Sequence, residues 1–512
     1  MRMVSQIWHF GWHYVMVLFC VCCAGLVSCQ SEIVSDDPSL RLSFSHDSIL
    51  FDTVFTALGS STKQMMIYNP NRNAILIDRV EMREGTSFFI NLDGENQIEN
   101  MCDITLRGGD SLFLFVRTKI DPQSANNPVL VEDTIVFYLN QTKQEIHLQA
   151  YGQNVEILRG DNGLLQFDKL SLTNEKPYLI YDTLLVTGNL SIQQGSTLYM
   201  HSGAMIYAYG NVIAKGTLEN PITIRGDRTD RLFDSVPYRV ASGQWGGIFL
   251  VDAESILPPR YEFDYVDIIS GSVGLYALSE NSIRRPKMSL TNSRIHNHAE
   301  YGLVLQNIDA TVANTEISNC ASHCVYLAGG YHNFVHNTIA AFYGFPFTTI
   351  NIHNNMLPED VAAVYINNLS KNSAPTISSF YNCIIAGARK NNLVLATPLP
   401  DYYEGHFIGN YMRADSLDSA FARDNVYASD SDSVVFRNTY YLSKEYRYYD
   451  FSLDSLSPAR SIADSTSAIP YPLDRLGNRR KKHPDAGCYE YIEAAKYILF
   501  SFIKNFIIDR FQ

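Results

Sequence analysis

The chain has 512 residues, with 46% hydrophobic and 18% charged side chains. That supplies enough apolar material for more than one core and excludes global disorder. The balance of 40 Lys and Arg against 53 Asp and Glu gives a net charge of −13, which repels phosphate backbones and points away from a nucleic-acid partner. Aromatics reach 12%, mostly Tyr and Phe, and with many β-branched residues they favour an all-β protein.

Arg2 precedes an apolar run from Tyr14 to Gly25, too short for the roughly 20 residues of a membrane-spanning helix, so it reads as a signal-peptide core. Leu26-Val27-Ser28-Cys29 follows. This tetrapeptide resembles a bacterial lipobox, which implies that residues 1–28 are removed and that Cys29 becomes a lipidated N-terminus. Several acyl chains at one residue anchor a protein stably, at about 0.8 kcal/mol per buried methylene. An ordinary signal peptide or an inner-membrane anchor is the alternative. Residues 29–39 include Glu32, Asp36 and Asp37 and have no basic residue. This acidic tether resembles the signal that sends some Gram-negative lipoproteins to the outer face of the outer membrane.

Of nine cysteines, Cys20, Cys22 and Cys23 lie in the signal and Cys29 carries lipid, leaving Cys102, Cys320, Cys324, Cys383 and Cys488. Only Cys320 and Cys324 are close in sequence; a disulfide, a pair of reduced core thiols and a redox site all fit them. No Cys/His set has zinc-like spacing, so no structural metal is expected.

Residues 40–153 read as a β-sandwich. Apolar runs at Lys63–Tyr68, Ala74–Ile77, Ser111–Val116 and Asp133–Tyr138 are separated by turn clusters such as Asn69-Pro70-Asn71 and Gly108-Gly109-Asp110. Short strands punctuated this regularly predict an immunoglobulin-like fold, here a spacer between anchor and next domain.

Residues 154–491 repeat. Leu184 to Gly195 follows Leu-x-Val-x-x-x-Leu-x-Ile-x-x-Gly, and short apolar runs split by single glycines continue to Ile224 and then Gly243-Gln244-Trp245-Gly246-Gly247-Ile248. Further on, four six-residue segments align: Phe263–Ile268, Leu290–Ile295, Val312–Ile317 and Phe334–Ile339, their last Ile residues spaced by 27, 22 and 22. Ile384 restores the register 45 residues later, a gap of about two coils. Gly274-Leu275, Gly302-Leu303 and Cys324-Val325 form a second recurring pair. A period near 22 with an internal Asn predicts a right-handed parallel β-helix, in which each coil buries its apolar positions only by stacking on the next.

With these repeats, the lipobox and the closing motifs Leu456–Ala459, Leu473–Asn478 and Pro484–Glu490, the chain resembles a family of right-handed β-helix surface lipoproteins with an N-terminal immunoglobulin-like domain and a pectin-lyase-like solenoid. In that family such closing motifs end the helix. The apolar tail at 492–512, with Ser501, Asn505 and Asp509 on one stripe, reads as an amphipathic helix capping the solenoid, with a membrane or partner contact as the alternative.

Parallel β-helices carry polysaccharide lyases and hydrolases as well as non-catalytic binding proteins, so fold does not choose. One column, Asp267, Arg294 and Glu316, falls at the same position on three successive coils. It fits a lyase-like constellation or a surface ion-pair ladder; the next members, Thr338 and Cys383, favour the ladder. Asn292, Asn314 and His336 fit satisfaction of bend backbones. His296, His298, His323, His332, His336 and His353 cluster in sequence and could converge from adjacent coils as a metal or proton-transfer site, but they differ in register, so most cannot share a face. Tyr402-Tyr403, Tyr440-Tyr441 and Tyr448-Tyr449 are candidates for sugar stacking or packing. The basic runs Arg284-Arg285-Pro286-Lys287 and Arg479–His483 suit either an acidic glycan or a solvated loop.

The reading is a lipid-anchored outer-membrane protein, exposed at the cell surface. It binds a polysaccharide or a surface protein, or serves the envelope structurally, without cofactor. A polysaccharide lyase or glycoside hydrolase is the alternative, and Ca2+ enters only with the lyase.

Overall fold

The computed structural model describes residues 34–493 except 57, 86, 123, 125, 140, 234–235, 254–256, 344–360, 369–373, 398, 430–434 and 440–448. Cys29, most of the acidic tether, His353, Tyr440-Tyr441, Tyr448 and the tail from 494 onward lie outside the described residues. Two compact units are present, residues 1–121 with 130–152, and residues 122–129 with 153–512.

The first unit has two β-sheets. A four-stranded antiparallel sheet runs in the order Ser43–Phe44, Lys63–Tyr68, Ser111–Thr118, Phe88–Leu92. A five-stranded sheet orders Ser48–Phe55, Thr142–Gln153, Val129–Leu139, Ile75–Met82 and Cys102–Leu106. Alternation places Met65 and Ile67 inside while Gln64 and Tyr68 face out. Met65, Ile67, Ile75, Leu114, Phe137 and Leu148 join one buried core. The described end of the expected tether is already attached, because the Ser35 amide donates to the Ala74 carbonyl.

The second unit is a parallel β-solenoid. Successive coils add strands to three sheets, which hold eleven, nine and ten strands among the described residues; we call them sheets 1, 2 and 3 in the order the chain visits them. The first coil contributes Glu156–Leu158, Leu164–Phe167 and Leu170–Leu172. Parallel strands need a connection that returns the chain to the same end, and here each turn around the solenoid is that connection.

The inner rows follow the predicted register. Ile268, Ile295, Ile317 and Ile339 are cross-strand neighbours in sheet 1, and Leu275, Leu303 and Val325 in sheet 2. The next step differs. Ile339 pairs with Ile385 rather than Ile384, and on the adjacent coil rather than two coils away. The two consecutive isoleucines hid a one-residue offset, and the sequence before Val364 lengthens one coil instead of adding another. Inside sheet 3, Phe334 stacks on Phe380 at 4.8 Å and Phe380 on Phe407 at 5.2 Å. Full burial of each such side chain contributes about 1.5–3 kcal/mol.

The bend from sheet 3 into sheet 1 explains the Asn column. Tyr265, Asn292, Asn314, His336 and Asn382 follow equivalent strand ends, and all have φ between 48° and 57°. Asn tolerates this left-handed conformation better than most side chains. Asn314 Nδ2 also donates to Asn292 Oδ1 at 3.2 Å. One residue on, Thr315 takes a backbone bond from Ser293, and Asn337 takes one from Thr315, so side chains close the amides that the bend frees.

Candidate functional site

Asp267, Arg294 and Glu316 are brought together as the spacing predicts, on three neighbouring strands of sheet 1. Thr338 follows, and then Ile384, not Cys383. The column is not an open surface. Residues 473–490, which follow the last strands of the three sheets, fold back along sheet 1 as a strap. The Gly487 amide donates to Asn382 O at 2.8 Å, Cys488 N to Thr338 Oγ1 at 3.1 Å, and Arg475 Nε to Ser293 O at 3.1 Å. A side chain at Gly487 (φ 92°) would meet Ile384 and Thr338 at 2.7 Å, so only glycine permits this approach.

Under the strap the charges are paired. Arg294 Nε lies 2.9 Å from Glu316 Oε1, Arg475 Nη2 donates to Asp267 Oδ1 at 2.5 Å, and Tyr489 Oη donates to Glu316 Oε2 at 2.5 Å. Ser318 Oγ donates to Glu316 Oε1 at 2.6 Å, and His296 Nδ1 contacts that hydroxyl at 2.8 Å. Burial alone would raise the Glu316 carboxyl, but Arg294, His296 and Arg475 carry it down to about 2. Its side chain is 3% exposed. The network is a buried clamp, not the surface ladder expected, and an extended substrate cannot reach its carboxylate.

Of the second basic run, Arg480 belongs to the same clamp, while Arg479, Lys481, Lys482 and His483 are exposed. Arg480 was expected in a solvated loop or at a glycan, yet its side chain is 2% exposed; it donates to Asn314 Oδ1 at 2.7 Å and pairs with Glu490 at 3.4 Å. Asp474 accepts from the amides of Leu476, Asn478 and Glu490, and so folds the strap's own turn. Sequence reasoning missed Arg475, Arg480 and Tyr489 as partners of the column. The available signal was a charge-dense stretch in which the acids Asp474, Asp485 and Glu490 flank Arg475 and the basic run Arg479–Lys482.

Cys320 and Cys324 are both buried free thiols in the solenoid core, not a disulfide. Cys383 and Cys488 are free and buried, their thiols pushed up to about 12 by burial, while Cys102 is exposed. The five described histidines of the cluster are buried on different faces. Burial holds His298 at about 4 and His332 at about 3, so both are neutral near pH 7. Among the described residues no group of three or more His, Cys, Asp or Glu is placed to hold a metal ion.

Two outer faces remain. On sheet 2, Tyr207, Phe249 and Tyr276 occupy one row, as do Tyr326 and Tyr365 further along. Tyr207 stacks on Phe249 at 4.8 Å and 14°, and Tyr326 on Tyr365 at 5.5 Å and 4°. Their faces are used on one another, so this is a packing ladder rather than a platform for sugar rings. Tyr403, from the Tyr402-Tyr403 pair, is mostly buried, which raises its hydroxyl to about 12.

On sheet 3 the outward row is Glu262, Ser289, Thr311, Asn333, Ser379 and His406, one residue per coil. It floors an open groove of about 480 Å³ bordered by Arg260, Lys287, Asp309, Tyr331 and Tyr381. Successive members stand about 4.8 Å apart, the strand spacing. Glu262 is held by Lys215, and Asp309 pairs with Arg285 at 2.7 Å. These two carboxylates are on strands two coils apart and two residues out of register, and each is tied to a cation of its own. The four uncharged members can donate and accept, which suits a polyhydroxylated ligand. The aligned segments began at Leu290, Val312 and Phe334, one position after this row, so the row escaped the sequence reading.

No family model matches the chain, and no curated protein matches it. Solved structures show faint likeness. A family 123 glycoside hydrolase from Clostridium perfringens is 7% identical over 23% of this chain and 30% of the hydrolase, with a TM-score of 0.17. A PapD-like domain of human CEP192 is 12% identical over 25% of this chain and 94% of that domain, at 0.16. The VesB protease of Vibrio cholerae is 12% identical over 22% of this chain and 31% of the protease, at 0.16. At these scores the likenesses carry no argument about this chain.

Proposed function

We propose that this protein is a lipoprotein of the outer membrane, anchored through Cys29 and exposed at the cell surface, whose solenoid binds an extended glycan without cleaving it. The observation that carries the reading is the outward row Ser289, Thr311, Asn333 and Ser379, which repeats a hydrogen-bonding side chain on four successive coils along one open groove. A polymer with a regular repeat is the ligand class that a regular row serves best, because each sugar meets an equivalent environment.

The solenoid is taken as a right-handed β-helix, in keeping with the strong preference of parallel crossover connections for that hand. The N-terminal unit is taken as an immunoglobulin-like spacer between the lipid and the binding coils; two sheets around one core support it. The lipobox and the apolar run before it support the anchor. Membrane fractionation tests the anchor: Cys29→Ala releases the protein from the membrane fraction. Affinity electrophoresis of the full mature chain in gels carrying different polysaccharides tests the binding. Retardation by at least one, with no new reducing ends, supports the reading; new reducing ends or unsaturated products overturn its non-catalytic part.

A further inference from the structure

Beside the hydroxyl row runs a second outward row, Arg260, Lys287, Asp309, Tyr331, Ile377 and Glu404. Its charges are not equally satisfied. Asp309 is taken by Arg285, whose guanidinium also lies 5.0 Å from the Tyr331 ring. Glu262, the nearest other carboxylate, is held by Lys215 of the preceding coil and approaches Arg260 only at 4.0 Å. The Arg260 side chain is 72% exposed. Lys287 is exposed and has no ion pair among the described residues.

Arg260 and Lys287 are direct cross-strand partners. Like charges facing each other across neighbouring strands destabilise a sheet. The arrangement is the more notable in a chain whose net charge is −13. An anionic group seated between the two side chains would turn that repulsion into attraction and would be held by charge-assisted hydrogen bonds. The groove floor next to the pair is uncharged: Ser289 is one row in from Lys287, and Thr311 and Asn333 follow on the next coils. Tyr331, 55% exposed, stands at the same border.

We propose that the ligand of this groove is an acidic polysaccharide, with a carboxylate or sulfate bound between Arg260 and Lys287 and neighbouring hydroxyls bonded by Ser289, Thr311, Asn333 and Ser379. This rests on the glycan-binding reading of the same face. Of the run Arg284-Arg285-Pro286-Lys287, Lys287 then meets the ligand, and Arg285 is occupied by Asp309.

The test uses the full mature chain and two pairs of probes that share a backbone and differ in charge: polygalacturonate against its fully methyl-esterified form, and dextran sulfate against dextran. The expected result, by calorimetry, is at least tenfold tighter binding of the charged member of one pair, weakening as salt rises. The double variant Arg260→Gln/Lys287→Gln should remove at least tenfold of that affinity without lowering the thermal midpoint. Equal affinity for charged and uncharged members overturns the acidic-ligand proposal and leaves the glycan reading standing. So does a double variant that binds as the wild type does while Ser289→Ala/Thr311→Val loses binding. Failure of the folded wild type to bind any of the four probes overturns both.

Discussion

Sheets 1 and 3 present columns of polar residues built by the same coils, and the two columns have opposite fates. Asp267, Arg294 and Glu316 lie beneath residues 473–490, every charge matched. Ser289, Thr311 and Asn333 lie in an open groove. Register decides which side chains are neighbours along a solenoid, since each strand sits about 4.8 Å from the next. Register does not decide whether another part of the chain covers them. The more chemically suggestive column is therefore the structural one, and the blander column is the one a ligand can reach.

The largest effect that distinguishes the two columns is expected at Glu316. Glu316→Ala leaves the buried Tyr489 hydroxyl and the partly buried Arg294 without their partner, and breaking a buried pair from one side costs up to about 3–5 kcal/mol. Urea unfolding should show it as a marked drop in midpoint. A loss under about 0.5 kcal/mol, the range of ordinary surface substitutions, would mean that the column is solvated after all. Tyr489→Phe removes one donor to a charged group and is expected to cost about 1.5–3 kcal/mol.

Acidification is the next lever. His298 and His332 titrate at about 4 and about 3 in the fold, against an ordinary value of 6.5. A histidine whose folded value is depressed binds its proton better when unfolded. Its contribution is thus complete above pH 6.5 and is lost as pH falls towards 4 and then 3. Glu316 adds a second loss, present above its ordinary 4.5 and gone as pH falls through about 2. The thermal midpoint should hence decline steadily below pH 6.5, each histidine adding up to about 1.4 kcal/mol per pH unit. His332→Gln should flatten the decline between pH 6.5 and 3; an unchanged slope would show that His332 is not buried as described.

Thiol labelling gives a smaller but cleaner contrast. In the native protein from residue 30 onward, Cys102 should react with a thiol reagent at once, and Cys320, Cys324, Cys383 and Cys488 only on unfolding. Four slow thiols confirm that Cys320 and Cys324 are reduced; two slow thiols, rising to four with a reductant, would restore the disulfide.

Much of the solenoid was legible because its rule is local. On most coils apolar residues recur every 20 to 27 positions, the steps from Ile224 to Ile268 and from Ile339 to Ile385 being longer, and Asn or another tolerant residue marks the left-handed bend, as at Asn292 and Asn314. The rule failed where two isoleucines, Ile384 and Ile385, offered two registers and a long insertion imitated a coil. The site was less legible for a different reason. The contacts of Arg475 with Asp267 and of Tyr489 with Glu316 span 208 and 173 residues. No periodicity encodes them, because the strap is not a repeat. The groove row was within reach of the alignment but consists of Ser, Thr and Asn, whose chemistry says little until their common exposure is known.

The smallest stability effect should come from that row, and it is the one that sharpens the contrast most. Ser289→Ala and Thr311→Val each remove a half-exposed hydroxyl from an open face, which costs the fold less than about 0.5 kcal/mol. If a sugar hydroxyl bonds each of them, each loss weakens retention of the bound polysaccharide by about 1 kcal/mol, close to fivefold. Because the two sit on adjacent coils, the pair tests periodicity as well as contact. A repeating ligand loses similar affinity at either position. A discrete ligand seated at one coil loses it at one position only. Equal modest losses at Ser289 and Thr311, with an unchanged thermal midpoint, would therefore identify a polymer lying along the coils, which Glu316→Ala, acting through the fold, has no means to show.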